Sequence, residues 1–230
     1  VPIELPFMKY EGNVISSREA LNLEEVPKHL VVVGGGYIGL ELGITFRLLG
    51  SKVTILEALD SVLPIFDKEL RRPLEITLKK LNIKVETGVF AKGVEEVDGR
   101  TKVFYISKGA SEDDEHLELI ADKVLVTVGR KPTSQGLEPT GVALDERGFV
   151  KVDDKCQTNM RGVFAIGDVC NAGEMLAHVA SHQGEMVAEI IAGHDRIYDP
   201  VAVPAIVFTE PEIVSVGLSP EQATEAGPPI

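Results

Sequence analysis

Three glycines and one carboxylate near the start of the chain have the spacing of a phosphate-binding turn. Gly34, Gly36 and Gly39 follow the apolar residues 30–33. Glu57 comes 18 residues after Gly39, close to the ~20 expected, at the end of the next apolar run. Gly34 permits a tight turn, Gly36 lets the main chain approach a pyrophosphate, and Gly39 lets a helix pack closely on the strand. The pattern predicts a dinucleotide site at a helix N-terminus, where free N–H groups face the phosphates.

The other residues around this turn favour one coenzyme. Tyr37 and Ile38 fill the variable positions of the motif at the start of the helix. The Glu57 carboxylate can accept hydrogen bonds from ribose hydroxyls and would repel a 2′-phosphate. Residues 58–61 offer no basic group that would hold such a phosphate. The sequence therefore favours NAD(H) over NADP(H).

Two further candidates near this motif are less specific. Glu41 lies one turn into the predicted helix, where it could be a solvated residue or a favourable charge near the N-terminus. Gly129 follows a predicted strand at 124–128, and ligands of open α/β sheets lie beyond the carboxyl ends of strands. A cofactor could pass over Gly129, although an ordinary turn explains the residue equally well.

A second glycine–acid pair follows a predicted strand at 163–166. Asp168 could bind a polyol, or it could cap a turn, which is the commoner use of such a residue. A helix is predicted over 175–193, and N–H groups at its start could stabilise an anion on a ring cofactor. Core packing is the alternative for its first residues, which are Met175, Leu176, Ala177 and His178.

Alternating strands and helices position these residues. A strand, a helix and a strand over 30–57 predict a parallel βαβ unit. Asp67 is expected to cap a helix over 68–81, Ser16 and Glu19 form a possible capping box, and residues 1–29 are otherwise irregular. The other expected elements are a strand at 83–86, an antiparallel meander over 94–119 with turns at 97–100 and 112–115, and strands at 205–208 and 213–216.

Composition excludes several classes of protein. The chain has 230 residues and a net charge of −13, which disfavours nucleic acid and anionic membranes as partners. No apolar run approaches the ~20 residues of a membrane span. His178 and His182 share a helical face, but no acid or cysteine completes a metal site. The two cysteines, Cys156 and Cys170, fit ordinary free thiols in a reducing compartment such as the cytoplasm.

Five stretches, in this order, resemble the flavin-dependent pyridine nucleotide–disulfide oxidoreductases along essentially the whole chain: residues 33–41, 128–132, 165–169, 175–178 and 207–212. The resemblance implies an α/β, Rossmann-like FAD/NAD(P)-binding fold with a parallel sheet and an antiparallel meander. It also implies four segments, which are a leading piece of a FAD domain or linker (1–21), an NAD domain (22–141), a returning FAD segment (142–199) and the start of an α+β interface domain (200–230).

The resemblance also implies roles for single residues. Glu41 would lie near the nicotinamide, Val89 would contact the adenine side, and Gly129 would lie over the dinucleotide. Asp168 would bind the ribityl chain of FAD, and residues 175–178 would face the flavin ring. The remaining NAD contacts would come from the turn and its acid, namely Gly34, Gly36, Tyr37, Ile38, Gly39 and Glu57.

Within the family, the resemblance is nearest to members that oxidise dihydrolipoamide on the lipoyl domains of 2-oxo acid dehydrogenase complexes. Such members are homodimers that pass electrons through a redox-active disulfide and FAD to NAD⁺. The sequence has no second GxGxxG, no CxxxxC pair and no C-terminal His-Glu pair. Both ends are therefore expected to be cuts through a longer protein, cytoplasmic or, in a eukaryote, in the mitochondrial matrix. FAD would be bound only by the complete protein, and the chain alone would lack dithiol chemistry.

Other functions stay open. An NADH oxidase or a mercuric reductase would share these motifs, whereas a glutathione reductase is disfavoured by Glu57 and the lack of a basic 2′-phosphate site. For the isolated chain, a dinucleotide-binding module without turnover is the alternative from a different class. No residue of this chain is expected to be catalytic, apart from a possible role of Glu41 near the nicotinamide.

Overall fold

The computed structural model describes residues 1–111, 116–200 and 202–227. It divides into two compact units. The larger unit comprises residues 2–129 with 206–230, and the smaller comprises Val1 with residues 130–205. These bounds differ from the four segments inferred from the sequence, which stay a prediction about how the domains of a longer protein are shared out.

A five-stranded parallel sheet forms the centre of the larger unit. Its strand order is β1–β8–β2–β3–β4 for β1 (Val14–Ile15), β2 (His29–Val33), β3 (Lys52–Glu57), β4 (Lys84–Thr87) and β8 (Lys123–Val126). β2 is buried along its whole length, as expected for a strand covered on both faces. The predicted strands at 30–33, 53–56 and 83–86 are confirmed to within a residue or so, whereas β8 ends two residues before the predicted bound of 128.

The helices of this unit follow the predicted caps. Helix α2 (Tyr37–Leu48) joins β2 to β3, which confirms the predicted βαβ unit. Helix α3 (Lys68–Lys80) is capped by Asp67, whose side chain accepts the N–H of Glu69. The short helix α1 (Ser17–Ala20) has the expected capping box.

An antiparallel meander is inserted before β8. Its strands are β5 (Val89–Val97), β6 (Arg100–Ser107) and β7 (Leu117–Ala121). Asp98 and Gly99 have φ values of 51° and 71°, which is the geometry of a tight two-residue hairpin turn. The meander and its first turn are thus confirmed, while the predicted turn at 112–115 lies outside the described residues. Meander side chains such as Val103 and Tyr105 share one buried apolar cluster with Val31 and Val33 of the sheet.

A strand near the start of the chain and a helix near its end were not predicted from the sequence. Residues 14–15 were expected to be irregular, but Val14 and Ile15 pair with Val124 and Leu125 and form the outer strand β1. Helix α5 (Pro220–Ala226) begins at a capping box between Ser219 and Gln222 with proline at its first position. The predicted strands near 205–208 and 213–216 are confirmed as β9 (Pro204–Val207) and β10 (Ile213–Val216), which pair with each other.

The smaller unit contains little regular structure. Its main helix, α4 (Ala177–Ile191), is shorter at both ends than the predicted 175–193. The strand predicted at 163–166 is wrong, because only a single bridge joins Phe164 to Gln157. Two backbone hydrogen bonds join residues 163–166 to the neighbouring segment. Ala165 N–H donates to the Cys156 carbonyl oxygen, and Thr158 N–H donates to the Val163 carbonyl oxygen. Two such bonds are too few to form a strand ladder. Short 3₁₀ turns occur at Glu138–Thr140 and Gly167–Val169.

No helix within the described ranges has both the length and the apolar character that a membrane crossing requires.

Candidate functional site

Two of the three motif glycines in the glycine-rich turn have no room for a side chain. Gly34 has φ +105°, and a Cβ built there would lie 2.6 Å from the Thr127 carbonyl oxygen. A Cβ at Gly39 would overlap the Gly34 carbonyl oxygen and lie 2.6 Å from Thr127 Oγ1. Both positions therefore require glycine for the fold itself.

Gly36 differs, because nothing lies within 4 Å of a Cβ built at this position. It is the N-cap of α2 and provides no side-chain cap for the helix. Tyr37 and Ile38 follow it as the first two helical residues. Open space beside a helix start without a side-chain cap fits an anionic ligand such as a pyrophosphate, so this donor set is compatible with a dinucleotide.

Glu57 has a second task that the sequence did not reveal. Glu57 lies at the carboxyl end of β3 and is only 8% exposed. One carboxylate oxygen accepts the N–H of Gly35 at 2.5 Å, and the other accepts the N–H of Leu59 at 2.8 Å. Each oxygen keeps capacity for a further donor, such as a ribose hydroxyl. The carboxylate therefore holds the turn in place, and its role in ribose binding stays a prediction.

Thr127, which sequence reasoning missed, holds the turn from the other side. Its hydroxyl donates to the Gly34 carbonyl oxygen at 2.9 Å, and its N–H donates to the Val33 carbonyl oxygen at 2.8 Å. The only available signal was its place directly after β8 and two residues before Gly129. Thr127 thereby extends the hydrogen bonding between β8 and β2 as far as the glycine-rich turn.

The loop after β3 closes over the turn. Leu63 N–H donates to the Gly35 carbonyl oxygen at 3.1 Å, and Arg71 donates through Nη1 to the Val62 carbonyl oxygen at 3.3 Å. A cavity of about 280 Å³ lies beside this loop, close to the lower limit of ~300 Å³ for ligand pockets. Its lining includes Asp60, Val62, Leu78 and Thr87.

Glu41 has a partner from a distant part of the chain. Its Oε1 accepts the backbone N–H of Phe208 at 2.9 Å. The half-buried carboxylate is therefore neither a purely solvated residue nor simply a charge near a helix end, the two alternatives that the sequence left open. Its predicted place near a nicotinamide stays a prediction.

Two of the expected cofactor contacts have surroundings that restrict them. The Val89 side chain is 6% exposed and packs in the apolar cluster between sheet and meander, so a contact to adenine would have to use its main chain. Gly129 has φ +127°, its carbonyl oxygen accepts the Ile3 N–H at 3.0 Å, and a Cβ there would lie 3.3 Å from Ile3 Cδ1. Gly129 is thus approached by the Ile3 side chain on one side.

The residues predicted to bind flavin meet in the smaller unit. Asp168 is exposed in the turn Gly167–Val169, and this turn packs against α4. A Cβ at Gly167 would lie 2.8 Å from Ala180 Cβ, which shows how closely the two elements approach. Leu176 is the N-cap of α4 and supplies no side-chain cap. Met175 and Leu176 are half-buried, whereas Ala177 and His178 are exposed.

The polar groups of this unit are of the types that could bind a flavin cofactor. An exposed carboxylate can accept hydrogen bonds from ribityl hydroxyls, and the start of a helix can face a ring that carries negative charge. Both features come from elements that pack together, which the sequence alone could not show.

Neither cysteine has the properties of a reactive thiol. Cys156 and Cys170 are free and buried. Burial raises the pKa of Cys156 to about 11, and it raises the pKa of Cys170 as well. Both side chains are therefore protonated at neutral pH, whereas the reactive form of a cysteine is the thiolate. Among the described residues, no group of three His, Cys, Asp or Glu side chains is placed to hold a metal ion.

A parallel sheet with a glycine-rich turn after one strand and an acid at the end of the next defines a dinucleotide-binding α/β protein. The sequence profile of the pyridine nucleotide-disulphide oxidoreductases matches residues 3–184. The chain belongs to this family, as its motifs indicated.

Relatives and solved structures agree with this assignment. The chain is 51% identical over 227 residues to a dihydrolipoyl dehydrogenase of Pseudomonas aeruginosa and 45% identical over 228 residues to one of Geobacillus stearothermophilus. Each match covers 98% of this chain and 47% of the relative, so the chain spans about half the length of these relatives.

Two solved structures share the fold over nearly the whole of this chain. The HOCl-induced flavoprotein disulfide reductase RclA from Escherichia coli matches with a TM-score of 0.86 and 31% identity, over 99% of this chain and 51% of that one. LpdA from Mycobacterium tuberculosis matches with a TM-score of 0.86 and 28% identity, over 98% of this chain and 48% of that one. The predicted fold class is thus confirmed, and the family implies a flavin and a pyridine nucleotide as cofactors.

Proposed function

We propose that this chain is the NAD-binding part of a flavin-dependent dihydrolipoamide dehydrogenase, in which NAD⁺ accepts the electrons of dihydrolipoamide. The observation that carries the proposal is the 51% identity to a dihydrolipoyl dehydrogenase over 98% of the chain. The geometry of the glycine-rich turn supports it, because the space beside Gly36 is open and the neighbouring glycines are sterically required.

The choice of NAD(H) over NADP(H) rests on Glu57 and its surroundings. A 2′-phosphate would be repelled by this carboxylate, and residues 58–61 carry no cation to offset the repulsion. The fold does bring a cation near, since Lys108 Nζ lies 2.9 Å from Asp60 Oδ1. That ammonium is paired with a carboxylate, so the net charge beside Glu57 stays unfavourable for a phosphate.

The smaller unit would hold the flavin. Asp168 would accept hydrogen bonds from the ribityl hydroxyls, and the residues at the start of α4 would face the ring: Met175, Leu176, Ala177 and His178. When bound, FAD supplies two-electron transfer between a dithiol and NAD⁺. The dithiol–disulfide exchange requires a reactive cysteine pair, and the buried Cys156 and Cys170 do not provide one.

The remaining inferences concern the whole protein. A homodimer, lipoyl domains as the source of substrate, and a cytoplasmic location are consistent with the dihydrolipoyl dehydrogenases among the relatives. The net charge of −13 disfavours nucleic acid as a partner.

The test uses the full-length protein with its flavin. We expect NAD⁺ reduction by dihydrolipoamide, with NADP⁺ a poor substitute. Oxidation of NADH by O₂ without any response to lipoamide would point to an NADH oxidase, and NADPH-dependent reduction of Hg²⁺ would point to a mercuric reductase. A full-length protein that binds NADH but no flavin would leave only a dinucleotide-binding module, and the proposal would be wrong.

A further inference from the structure

One buried amide side chain in the smaller unit is unexplained by the residues discussed so far. Gln183 lies on α4, two turns from the helix start, and is only 1% exposed. Burying an amide group costs free energy unless its donor and acceptor are both satisfied. The hydrogen bonds of Gln183 therefore decide whether burying its amide stabilises or destabilises this unit.

Two hydrogen bonds of Gln183 reach the main chain on either side of Asp168, and another joins its amide to the Tyr198 side chain. Its Oε1 accepts the N–H of Gly167 at 2.7 Å, and its Nε2 donates to the Ala172 carbonyl oxygen at 3.2 Å. Because a backbone N–H can only donate, the atom that faces Gly167 must be the amide oxygen. One side chain thus joins α4 to the main chain on both sides of Asp168.

The end of the turn is held by the backbone, because Val150 N–H donates to the Val169 carbonyl oxygen at 2.9 Å, but its start has less support. The segment before it forms only the single bridge between Gln157 and Phe164, so no ladder fixes the main chain as it enters Gly167. Gly167 has φ +66° and approaches Ala180 of α4 so closely that a Cβ would lie 2.8 Å from Ala180 Cβ. The Cys170 thiol adds a weaker contact, with Sγ 3.4 Å from the Gly167 carbonyl oxygen.

We propose that Gln183 is a positioning residue for the flavin, which sets the distance between the Asp168 carboxylate and the first turn of α4. It touches no cofactor itself and acts through the Gly167 peptide. The inference rests on the proposed function, because it takes Asp168 and the start of α4 as the flavin-binding groups. It assigns to the buried amide a role that core packing alone would not require.

The test compares FAD affinity and local opening in the full-length flavoprotein. Gln183→Met keeps the length and apolar stem of the side chain but removes both hydrogen-bonding atoms, whereas Gln183→Glu keeps an oxygen for the Gly167 N–H. Val187→Ala, one turn further along α4, removes buried methyl groups without touching the turn. Asp168→Ala removes the proposed ribityl contact. Each apoprotein is titrated with FAD at a temperature at which circular dichroism shows that it is folded.

We expect Gln183→Met to weaken FAD binding about fivefold, which is the usual effect of one lost hydrogen bond. Hydrogen exchange at the Gly167 amide should accelerate in the same variant. Gln183→Glu should recover part of the affinity, since its carboxyl can accept the Gly167 N–H but, when ionised, cannot donate to the Ala172 carbonyl oxygen. Val187→Ala should change the stability but neither the FAD affinity nor the Gly167 exchange.

Two results would overturn the inference in distinguishable ways. If Asp168→Ala weakens FAD binding but Gln183→Met behaves like Val187→Ala, the amide is merely structural and the proposed function is untouched. If Asp168→Ala leaves FAD binding unchanged, the proposed flavin site is wrong and the positioning role is wrong with it.

Discussion

The two glycine-containing turns of this chain are held by different kinds of partner. The turn from Gly34 to Gly39 follows β2, the central strand of a five-stranded sheet, and is fixed by side chains from neighbouring strand ends, Glu57 and Thr127. The turn at Gly167–Val169 follows a segment with one isolated bridge. Gln183 fixes its start from a helix, and a second isolated bridge, between Val150 and Cys170, holds its end.

The difference shows what a sheet contributes to a binding turn. In the larger unit, ladder hydrogen bonds on both sides of β2 already place Gly34, and the side chains only refine its position. In the smaller unit, no ladder does this among the described residues, so a single buried side chain carries more of the task. Loss of a sheet-side contact that has no proposed role in binding the coenzyme, such as that of Thr127, should therefore be tolerated better than loss of the helix-side contact.

Gly39→Ala should have the largest effect. The new Cβ would overlap the Gly34 carbonyl oxygen, which the sheet holds too firmly to move. We expect a loss of about 3 kcal/mol of unfolding free energy from overpacking and no measurable NADH binding. The control is Gly43→Ala on the same helix, where the nearest atom would be 3.6 Å away and stability should rise by about 0.5–1 kcal/mol. Equal tolerance of both substitutions in urea denaturation would contradict this view of the turn.

Glu57→Ala should rank second. It leaves the buried Gly35 N–H without its acceptor and also removes the proposed ribose contact. We expect NADH affinity to fall about tenfold or more, from an unsatisfied buried donor and a lost ligand hydrogen bond. Glu57→Gln, which keeps one oxygen, should lie between this variant and the parent. Full NADH affinity of Glu57→Ala in a calorimetric titration would show that the coenzyme does not use this carboxylate.

Thr127→Val should have a smaller effect and tests the comparison directly. The substitution keeps the shape but removes the hydroxyl that donates to the Gly34 carbonyl oxygen. Since the β2–β8 ladder remains, we expect NADH affinity to fall only about twofold to threefold, below the usual effect of one hydrogen bond. Thr127→Ser should restore the affinity. A loss larger than the loss of FAD affinity in Gln183→Met would break the distinction between the two turns.

The smallest expected effect is on the pH dependence of stability and comes from His29. This residue lies at the opposite end of β2 from the glycine-rich turn. Its ring nitrogens face the Ile120 carbonyl oxygen at 2.7 Å and Thr54 Oγ1 at 3.0 Å, and burial lowers its pKa from the 6.5 of a free imidazole. The unfolded chain therefore binds this proton at a higher pH than the folded chain does. The contribution of His29 to stability is present above pH 6.5 and is lost as the pH falls through the lower folded-state pKa.

Urea denaturation at a series of pH values measures this effect. His29→Gln should flatten the acid side of the stability profile, since the amide can make similar hydrogen bonds but does not titrate. An unchanged slope in this variant would assign the pH dependence to other groups.

Sequence reasoning succeeded where the information was local. The βαβ unit, the Asp67 cap and the hairpin at Asp98-Gly99 all follow from apolar periodicity and from residues with strong conformational preferences. It failed where the outcome depended on partners distant in the chain. The apolar residues 163–166 resemble a strand but have too few backbone partners in this unit, whereas Val14 and Ile15 are too few to register as a pattern yet pair with β8.

The candidate site shows the same division. The motif glycines and Glu57 could be identified from spacing, because a phosphate-binding turn requires these residue types at fixed intervals. The contacts of Thr127, of Gln183 and of Glu41 with Phe208 could not be, since each joins residues separated by many positions. Such contacts leave no periodic signal in a single sequence.

The sequence by itself determined that this chain has a glycine-rich turn after a buried strand and belongs to a family whose cofactors are a flavin and a pyridine nucleotide. It did so because the glycines and the acid of the motif occur at fixed intervals along the chain. Only the tertiary structure decided how these residues are held, since the hydrogen bonds that fix a turn depend on which strand end or helix face lies beside it. Glu57 illustrates both kinds of information. Its position and charge could be identified from the sequence, whereas the structure shows that its two oxygens hold the main chain of the turn.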